Sequence, residues 1–457
     1  MYTLLNQNCK LLDFDMKETV YGNQYTIRNI YKENLNQLPS YISGNGLSNE
    51  TLGEWLSLRV APTGRHHLEK VLNAINLENK FYVLMYSHAL SLNDTYWIKE
   101  DNENINFEEI NLYDNPFDKT LGWIAFTGID SKVSKTLGTP ETTTGGMLAK
   151  YWERDENNNI RLVKGGTKNY ANAGGEPFSE AAASIIADVI NINHIPYKLE
   201  YKKYNNEILP VSTSYLFTNK EYGLKTANEY LIEKFPHRNK IDLPTLLNEL
   251  KNEAFNIKPF YEMCFFDWLI KNEDRHLNNW GFMVNNKTQK ISHMAPLWDN
   301  GASLLYSSMQ SDFALGVEEA DAYTRTTYFS SFNIPYNFIF ECEYRKELIH
   351  KCNTLLKAIN DGSLSKSLDE AYPDTDWAKK HSWKKEYILS LLKDNCIYFL
   401  DEYRHMDYKA YLNSRKGDIY NFNNILDAAA KAADELNKTL EKREKRFSHK
   451  IKKDIGI

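Results

Sequence analysis

The feature that most restricts the fold of this 457-residue chain is an apolar segment followed directly by a polar one. Residues 258–270, "KPFYEMCFFDWLI", show apolar spacing near 3.6 residues, which predicts a buried helix. Residues 271–282, "KNEDRHLNNWGF", then bring two acids, an Arg, a His and three Asn. Such a density of polar chemistry behind a buried helix indicates a loop that is held rigid at a functional position.

The chain is long enough for several domains and has the composition of a folded protein. Its 53.3 kDa exceed what one small core supports, so we expect two or three domains. A net charge of −6 and a pI near 6.1 give no basic field that would favour nucleic acid or an anionic membrane. We therefore expect no direct nucleic-acid binding.

Targeting and redox signals point to the cytoplasm. The N-terminal residues carry acids and no cleavable apolar core, so no signal peptide is predicted. The longest apolar stretch, residues 81–92, is far shorter than the roughly 20 residues that span a bilayer. Five scattered cysteines without a CxxC pair disfavour both a disulfide framework and a zinc site. A reducing cytosol fits these features best.

Pattern changes along the chain divide it into three predicted regions: 1–135, 136–218 and 219–457. The first mixes short strands and helices: residues 52–75 predict a helix, a turn and a helix, and residues 80–100 read as strand-rich. The second predicts a small sheet with a hairpin and one helix, and the third is helical. The basic end at 436–453 has interleaved acids, which favours a solvated helix end over a nucleic-acid arm.

The middle region holds candidates for binding a phosphorylated ligand. Thr144, Gly145 and Gly146 lie in a turn whose backbone N–H groups and Thr hydroxyl can approach phosphate oxygens, although a plain β-turn has the same pattern. In "IRLVK" strand alternation places Lys164 on one face with two aliphatic residues, where a buried lysine requires an anion. Lys164 is therefore a candidate ligand of ATP phosphates, and an edge-strand lysine reaching solvent is the alternative.

Two acids of the next helix compete to orient Lys164. Glu180 stands in the first turns of that helix and can form an ion pair with the lysine, as in protein kinases. Glu176 precedes Pro177, where we expect a more exposed acid that interacts with the helix dipole. Glu180 is the preferred candidate.

The polar stretch supplies the remaining parts of a phosphoryl-transfer site. Asp274 and Asn279 are five residues apart, so one loop can present the Asp to a hydroxyl and the Asn to a metal. Asp299, in "APLWDNGAS", follows an apolar run where a second metal-binding carboxylate is needed. Taken alone, Asp274 also fits a turn acid and His276 a core histidine, but the set as a whole favours phosphoryl transfer.

The strings "NEDRHLNNWGF" and "APLWDNGAS" resemble the catalytic and metal-binding motifs of the HipA-like bacterial serine/threonine kinases. The DRHxxN string is also shared with the phosphoinositide 3-/4-kinases. Over roughly residues 135–400 the resemblance implies an α+β, two-lobed protein-kinase-like fold, with a small β-rich lobe, a larger helical lobe and residues 1–135 as an accessory α/β domain. It implies ATP and Mg²⁺ as cofactors. The roles that it implies are catalysis by Asp274, metal binding by Asn279 and Asp299, nucleotide binding by Lys164 and Glu180, and shaping of the loop by His276.

The resemblance also sets expectations about partners and regulation. It implies a protein substrate, and because family members often act as toxins, an antitoxin or regulatory partner. Family kinases autophosphorylate a Ser of the phosphate loop, whereas this chain has Thr142 to Thr144, one of which we expect to be modified in cis. Trp298 stands where Tyr is common. A lipid or small-molecule kinase is an alternative, disfavoured for anionic lipid by the acidic segment 301–325, and a nucleotide-binding pseudokinase is another.

Overall fold

A computed structural model describes most of the chain up to residue 400. The described residues are 1–19, 22–62, 64–77, 80–129, 139–168, 173–204, 207–236, 241–253, 255–309, 328–329, 332–333, 338–376 and 378–400. The basic segment predicted as a solvated helix end, and the greater part of the acidic segment 301–325, lie outside them. No helix in these ranges has the length and apolar character needed to cross a bilayer.

The described residues form a mixed α and β structure of small sheets and helices, as predicted. The strands are β1 Tyr2–Asn6, β2 Cys9–Thr19, β3 Gly22–Ile30, β4 Tyr96–Glu100, β5 Lys150–Arg154, β6 Ile160–Gly165, β7 Tyr197–Tyr204, β8 Glu207–Tyr215, β9 Tyr222–Thr226, β10 Gly281–Asn285, β11 Ile291–Met294, β12 Tyr328–Phe329 and β13 Phe332–Asn333. They pair antiparallel in the orders β3-β2-β1-β4, β5-β6-β8-β7, β11-β10-β9 and β12-β13.

Helices join and cover these sheets. They are α1 Ser40–Asn45, α2 Asn49–Leu58, α3 Leu68–Ala74, α4 Lys80–Tyr86, α5 Phe107–Ile110, α6 Lys119–Thr127, α7 Glu176–Val189, α8 Ala227–Lys234, α9 Leu243–Asn252, α10 Lys258–Ile270, α11 Arg345–Asn360, α12 Ser363–Ser367, α13 Lys379–Ser382 and α14 Lys384–Leu400. Short 3₁₀ turns occupy Lys32–Gln37 and Pro140–Thr142.

The first sheet and its helices form the N-terminal region. Leu12 and Phe14 of β2 lie in one buried cluster with Leu52 and Trp55 of α2. Helices α2 and α3 confirm the predicted helix, turn and helix. The strand-rich prediction for residues 80–100 is right for β4 and wrong for α4. The strand preference of aromatic and β-branched residues depends on their packing, and here Leu84 of α4 packs into the same buried cluster as β2 and α2.

The second sheet contains the predicted hairpin. Strands β5 and β6 pair across a turn in which the Asp155 carboxylate accepts hydrogen bonds from the N–H groups of Asn157 and Asn159. Helix α7 packs against β7 and β8. Its Phe178 and Ile186 belong to the large core that also holds helix α10. Helix α7 therefore links the second sheet to the helical core.

Helix α10 is the buried helix that the apolar segment predicts. Phe265, Phe266 and Leu269 are fully enclosed in the large core. The helix ends at Lys271, whose φ of 54° is in the left-handed region, and the chain then runs as a loop into β10. The polar stretch is thus a loop held between a buried helix and a strand, as predicted.

Candidate active site

Lys164 lies between two carboxylates. Its Nζ is 3.1 Å from Oε2 of Glu180 and also contacts Oδ1 of Asp299. Burial alone would lower the pKa of this ammonium group, but the charges of Asp299 and Glu180 raise the pKa well above its usual value. Because β6 is an interior strand of its sheet, the alternative of an edge-strand lysine is wrong.

The competition between the two acids of α7 is settled by their contacts. Glu180 is fully buried, and besides Lys164 it accepts hydrogen bonds from the backbone N–H of Asn300 (3.1 Å) and the hydroxyl of Ser212 (3.3 Å). Glu176 is also buried, so the expectation of an exposed acid is wrong. Its Oε2 accepts a hydrogen bond from the N–H of Thr167 at 3.1 Å, which holds the segment after β6 rather than Lys164.

Asp299 combines an ionised side chain with partial exposure. Burial opposes its ionisation, but the ammonium groups of Lys164 and Lys150 lower the pKa of the carboxyl to about 2. The side chain remains 35% exposed, so the carboxylate is accessible to a ligand. The backbone of Asp299 has a φ of 57°, in the left-handed region. This region is uncommon for residues other than glycine, although Asp adopts it more readily than most, and contacts with neighbouring residues hold the segment there.

Those contacts come from Arg275, a fully buried residue that was not singled out from the sequence. Its guanidinium pairs with Asp267, with Nε 3.0 Å from Oδ2. Nη1 donates to the carbonyl oxygens of Asn279 and Trp298, both at 2.6 Å, and Nη2 donates to Oδ1 of Asn300 at 2.5 Å. One side chain thus fixes the polar loop and the Asp299 segment against each other.

The polar loop presents Asp274 at its surface. Asp274 is an exposed residue. The pKa of its carboxyl is nevertheless raised, because partial burial by the surrounding protein outweighs the charge of His276, which acts to lower it. The side-chain amide nitrogen of Asn279 donates to the backbone oxygen of Asp274 at 2.9 Å, which assigns the amide oxygen as the atom that a cation can use. Nδ1 of His276 accepts the N–H of Asn278 at 3.2 Å, a contact that shapes the loop.

Lys150 is hydrogen-bonded to the turn that Thr144, Gly145 and Gly146 form. The Thr144 hydroxyl donates to the carbonyl of Pro140 at 2.6 Å and accepts from Nε1 of Trp152 at 3.0 Å, so the loop itself engages this hydroxyl. Nζ of Lys150 donates to the carbonyl of Gly145 at 2.8 Å. Gly146 has a φ of 83°, a conformation that favours glycine, and a Cβ there would lie 2.3 Å from the same Nζ and displace it.

Lys150 is the second residue missed from the sequence. It is the cross-strand partner of Lys164 and is buried. Burial, and then the charge of Lys164, lower the pKa of its ammonium group to about 7. The signal that could have found it was the hairpin itself, because the turn at 155–159 sets the register that puts Lys150 opposite Lys164.

The structure therefore brings together most of the candidate residues. Lys164, Glu180 and Asp299 are in direct contact, and Asp274 lies within electrostatic range of Lys164 and Asp299. Asn279 is joined to this group through the backbone contacts of Arg275, and the Gly145-Gly146 turn through Lys150. In the part of the chain that the structure describes, no three His, Cys, Asp or Glu side chains cluster as metal ligands.

Comparison with known families adds an independent finding. Residues 221–359 match the family model described as HipA-like C-terminal domain. The match covers Asp274, Asn279 and Asp299, whereas Lys164 of β6 and Glu180 of α7 precede it. The HipA-like relationship predicted from the polar loop and the Asp299 segment is thereby confirmed. No curated protein sequence matches the chain.

Two solved structures resemble the chain weakly. The proinflammatory kinase CtkA of Helicobacter pylori is 19% identical, and the alignment covers 58% of this chain and 96% of CtkA with a TM-score of 0.42. The toxin–antitoxin complex of HipA, HipB and operator DNA from Shewanella oneidensis MR-1 includes a chain that is 10% identical. That alignment covers 89% of this chain and 99% of the other with a TM-score of 0.45. The HipA-like likeness rests on the match of residues 221–359, and neither structural alignment adds to it.

Proposed function

We propose that the chain is an ATP- and Mg²⁺-dependent protein serine/threonine kinase of the HipA-like type. The observation that carries the proposal is the buried Lys164, which contacts both Glu180 of α7 and Asp299 of the segment after β11. A lysine that is oriented by a helix glutamate and lies next to a metal-binding aspartate is the arrangement that protein kinases use to hold ATP phosphates.

On this proposal two lysines and one turn bind the phosphates. Lys164 is the permanent cation, because its carboxylate neighbours keep its pKa high. Lys150 supplies a second cation next to this turn, because its ammonium group is hydrogen-bonded to the carbonyl of Gly145. Gly145 is exposed, and a side chain there would meet no atom within 4 Å, so the turn leaves room for a phosphate to approach its backbone.

The donor set near Asp299 fits Mg²⁺. Asn279 offers an amide oxygen and Asp299 an ionised, partly exposed carboxylate, and hard cations of this size take a few protein oxygens together with phosphate and water. These two residues would hold the ion, which when bound neutralises charge on the phosphates. Arg275 keeps both residues in register through the carbonyls of Asn279 and Trp298.

Asp274 is the proposed catalytic residue. It is exposed on the polar loop, where its carboxylate can accept a hydrogen bond from the acceptor hydroxyl and orient the oxygen towards the γ-phosphate. Its raised pKa increases its affinity for that proton. His276 keeps the loop in shape through the N–H of Asn278.

The proposed organisation follows the sequence-based boundaries. On this proposal residues 136–218 are the smaller, β-rich lobe, residues 219–457 the larger helical lobe, and residues 1–135 the accessory domain; residues 401–457 lie outside the described part of the chain. The proposed acceptor is a protein hydroxyl. The Shewanella oneidensis HipA occurs in a complex with HipB, and by analogy an antitoxin-type regulatory partner is proposed here as well.

Phosphate transfer from labelled ATP tests the proposal. The purified full-length chain is incubated with Mg²⁺ and radiolabelled ATP, with dephosphorylated casein as a generic acceptor, and transfer is measured for wild type, Asp274→Asn and Glu273→Gln. Loss of the catalytic carboxylate is expected to lower the rate about 10²–10⁴-fold. The neighbouring Glu273 is also an exposed acid, so Glu273→Gln controls for the removal of one charge and is expected to retain the rate.

Two outcomes contradict the proposal. Wild-type protein that transfers no phosphate to itself or to casein, yet is stabilised against heat by Mg-ATP, is a nucleotide-binding module and not a kinase. Equal rates for Asp274→Asn and wild type remove Asp274 from catalysis. In cells, phosphosites lost on expression of Asp274→Asn instead of wild type identify the acceptor proteins.

A further inference from the structure

The connection between α2 and α3, in the N-terminal region, runs along the turn that precedes β5. The N–H of Ala61 donates to the carbonyl of Thr142 at 2.8 Å, and the N–H of His66 donates to the carbonyl of Met147 at 3.1 Å. A Cβ added at Gly64 would lie 2.5 Å from Cε of Met147, so the two segments also pack closely. The proposed phosphate loop, residues 140–147, is therefore supported from outside the proposed kinase lobes.

Arg65 makes the strongest of these contacts. Nη1 donates to the carbonyls of Glu141 (2.7 Å) and Thr144 (3.0 Å), and Nη2 donates to the carbonyl of Lys150 (2.9 Å). Nη2 also lies 3.3 Å from Oε2 of Glu141, and both side chains are 1% exposed. A single guanidinium thus binds the beginning and the middle of the proposed phosphate loop and the first residue of β5.

The partner carboxylate extends the same network. Oε1 of Glu141 accepts a hydrogen bond from the backbone N–H of Trp152 at 3.0 Å, two residues beyond Lys150 in β5. The Trp152 ring in turn donates to the Thr144 hydroxyl. Arg65 and Glu141 therefore join the loop to the strand that carries Lys150. Arg65 is buried and its hydrogen bonds end on the loop and on β5, so any effect of Arg65 on the site passes through them.

We propose that Arg65 is a positioning residue of the nucleotide site, and that the N-terminal region sets nucleotide affinity by fixing the proposed phosphate loop through it. This inference rests on the proposed function. Residues 1–135, the proposed accessory domain, thereby contribute to nucleotide binding. Loss of the guanidinium fork is expected to weaken nucleotide binding without altering the chemical step, because Asp274 and Asn279 belong to a different loop.

The chain offers a matched control in Arg59. This arginine is also buried in the N-terminal region, donates to the carbonyls of Ala89 (2.6 Å) and Tyr96 (3.1 Å), and pairs with Asp94 (2.8 Å). It has no hydrogen bond to the proposed phosphate loop among its contacts. Replacing either arginine by lysine keeps the charge and removes the planar fork that binds several acceptors at once.

The test measures ATP kinetics and backbone exchange in the full-length chain. For Arg65→Lys we expect an increase of about tenfold in the KM for ATP with kcat within about twofold of wild type, the effect of losing roughly one hydrogen bond to a charged group. We also expect hydrogen–deuterium exchange of residues 139–152 to become about tenfold faster. Arg59→Lys is expected to change neither, although it lowers thermal stability to a similar extent.

Distinct results overturn the inference and the proposed function. If Arg65→Lys leaves the exchange of residues 139–152 at the wild-type rate, or if both lysine variants raise KM equally, Arg65 has no positioning role. If wild type neither binds ATP nor transfers phosphate, the proposed function fails, and the exchange data alone then decide whether Arg65 holds the loop. If Arg65→Lys does not fold, Glu141→Gln weakens the same pair and is expected to raise KM about threefold; an unchanged KM overturns the inference.

Discussion

Two buried arginines hold the two sides of the candidate site, and their surroundings differ. Arg275 pairs with Asp267 and fixes the polar loop to the Asp299 segment, and the charge of Asp267 more than offsets burial and raises the pKa of the guanidinium. Arg65 pairs with Glu141 beside the proposed phosphate loop, where burial raises the pKa of the Glu141 carboxyl to about 7 despite the charge of Arg65. Arg275 therefore stays charged at neutral pH, whereas Glu141, the partner of Arg65, titrates close to neutral pH.

The same contrast is found in the other charged side chains on each side of the candidate site. On the side held by Arg275, Asp299 has a pKa of about 2 and Lys164 has a pKa well above its usual value, so neither group titrates near neutrality. On the phosphate side Lys150 and Glu141 both have pKa values of about 7. The difference shows that an ion pair keeps its groups charged only where the attraction exceeds the cost of burial, and at Glu141 and Lys150 burial is the larger effect.

The largest effect should come from removing Arg275. Arg275→Met leaves Asp267 buried without its cation, and we expect the free energy of unfolding at pH 7 to fall by about 3–5 kcal/mol. Arg65→Met is the matched change on the other side, and because Glu141 can take up a proton, we expect a loss of only about 1–3 kcal/mol. Urea unfolding measures both, and equal losses would contradict the comparison.

The pH dependence of stability tests Glu141. Its pKa in the folded state is raised from 4.5 to about 7, so its contribution to stability is fully present below about pH 4.5 and is lost as pH rises through about 7. The difference in unfolding free energy between wild type and Glu141→Gln should therefore shift against wild type by about 3 kcal/mol between pH 4.5 and 8. A difference that is constant over this range would show that Glu141 does not titrate there.

Lys150 predicts a pH dependence of ATP binding. Above pH 7 its ammonium group is largely neutral in the free protein, and a bound phosphate favours the charged form, so binding takes up a proton. The Kd for ATP should therefore rise above pH 7, by up to about tenfold per pH unit. An arginine at position 150 stays charged, so the Kd of Lys150→Arg for ATP should change less with pH than the Kd of wild type. Calorimetric titration with ATP at several pH values measures the two proteins. Parallel profiles would exclude Lys150 from binding.

The smallest effect concerns the site of loop phosphorylation. Thr142 is fully buried and its hydroxyl donates to the carbonyl of Thr139, and the Thr144 hydroxyl is engaged by Pro140 and Trp152. Among the described residues, the Thr143 hydroxyl contacts just the carbonyl of Pro140, at a long 3.4 Å. If the loop is autophosphorylated, mass spectrometry should find the phosphate on Thr143 and lose it in Thr143→Ala. Phosphate on Thr142 would require the loop to open.

Local patterns predicted the parts of the site that lie within single elements. Strand alternation marked Lys164 as a buried lysine in need of an anion, and helix spacing placed Glu180 where it supplies one. The buried helix α10 and the polar loop behind it were also evident, because apolar periodicity determines where a helix is buried. The roles of Asp274, Asn279, Asp299 and His276 remain predictions until the variants are measured.

The residues that sequence reasoning missed act across long separations. Arg275 stands inside the quoted polar stretch, but its partner carbonyl at Trp298 is 23 residues away, and no local pattern reveals that contact. Arg65 and Glu141 are 76 residues apart and belong to different predicted domains. Helix α4 was misassigned because aromatic and β-branched residues suit a strand unless tertiary packing decides otherwise.

The contact between Lys164 and Asp299 has a consequence for the order in which ligands bind. In the free protein the lysine ammonium acts as an internal counter-ion that a divalent metal must displace from the carboxylate. Metal alone therefore competes with an ion pair, whereas phosphates that attract Lys164 release Asp299 for the metal. On the proposed function, nucleotide and Mg²⁺ strengthen each other's binding reciprocally, and the protein responds to the complex of the two more than to either one.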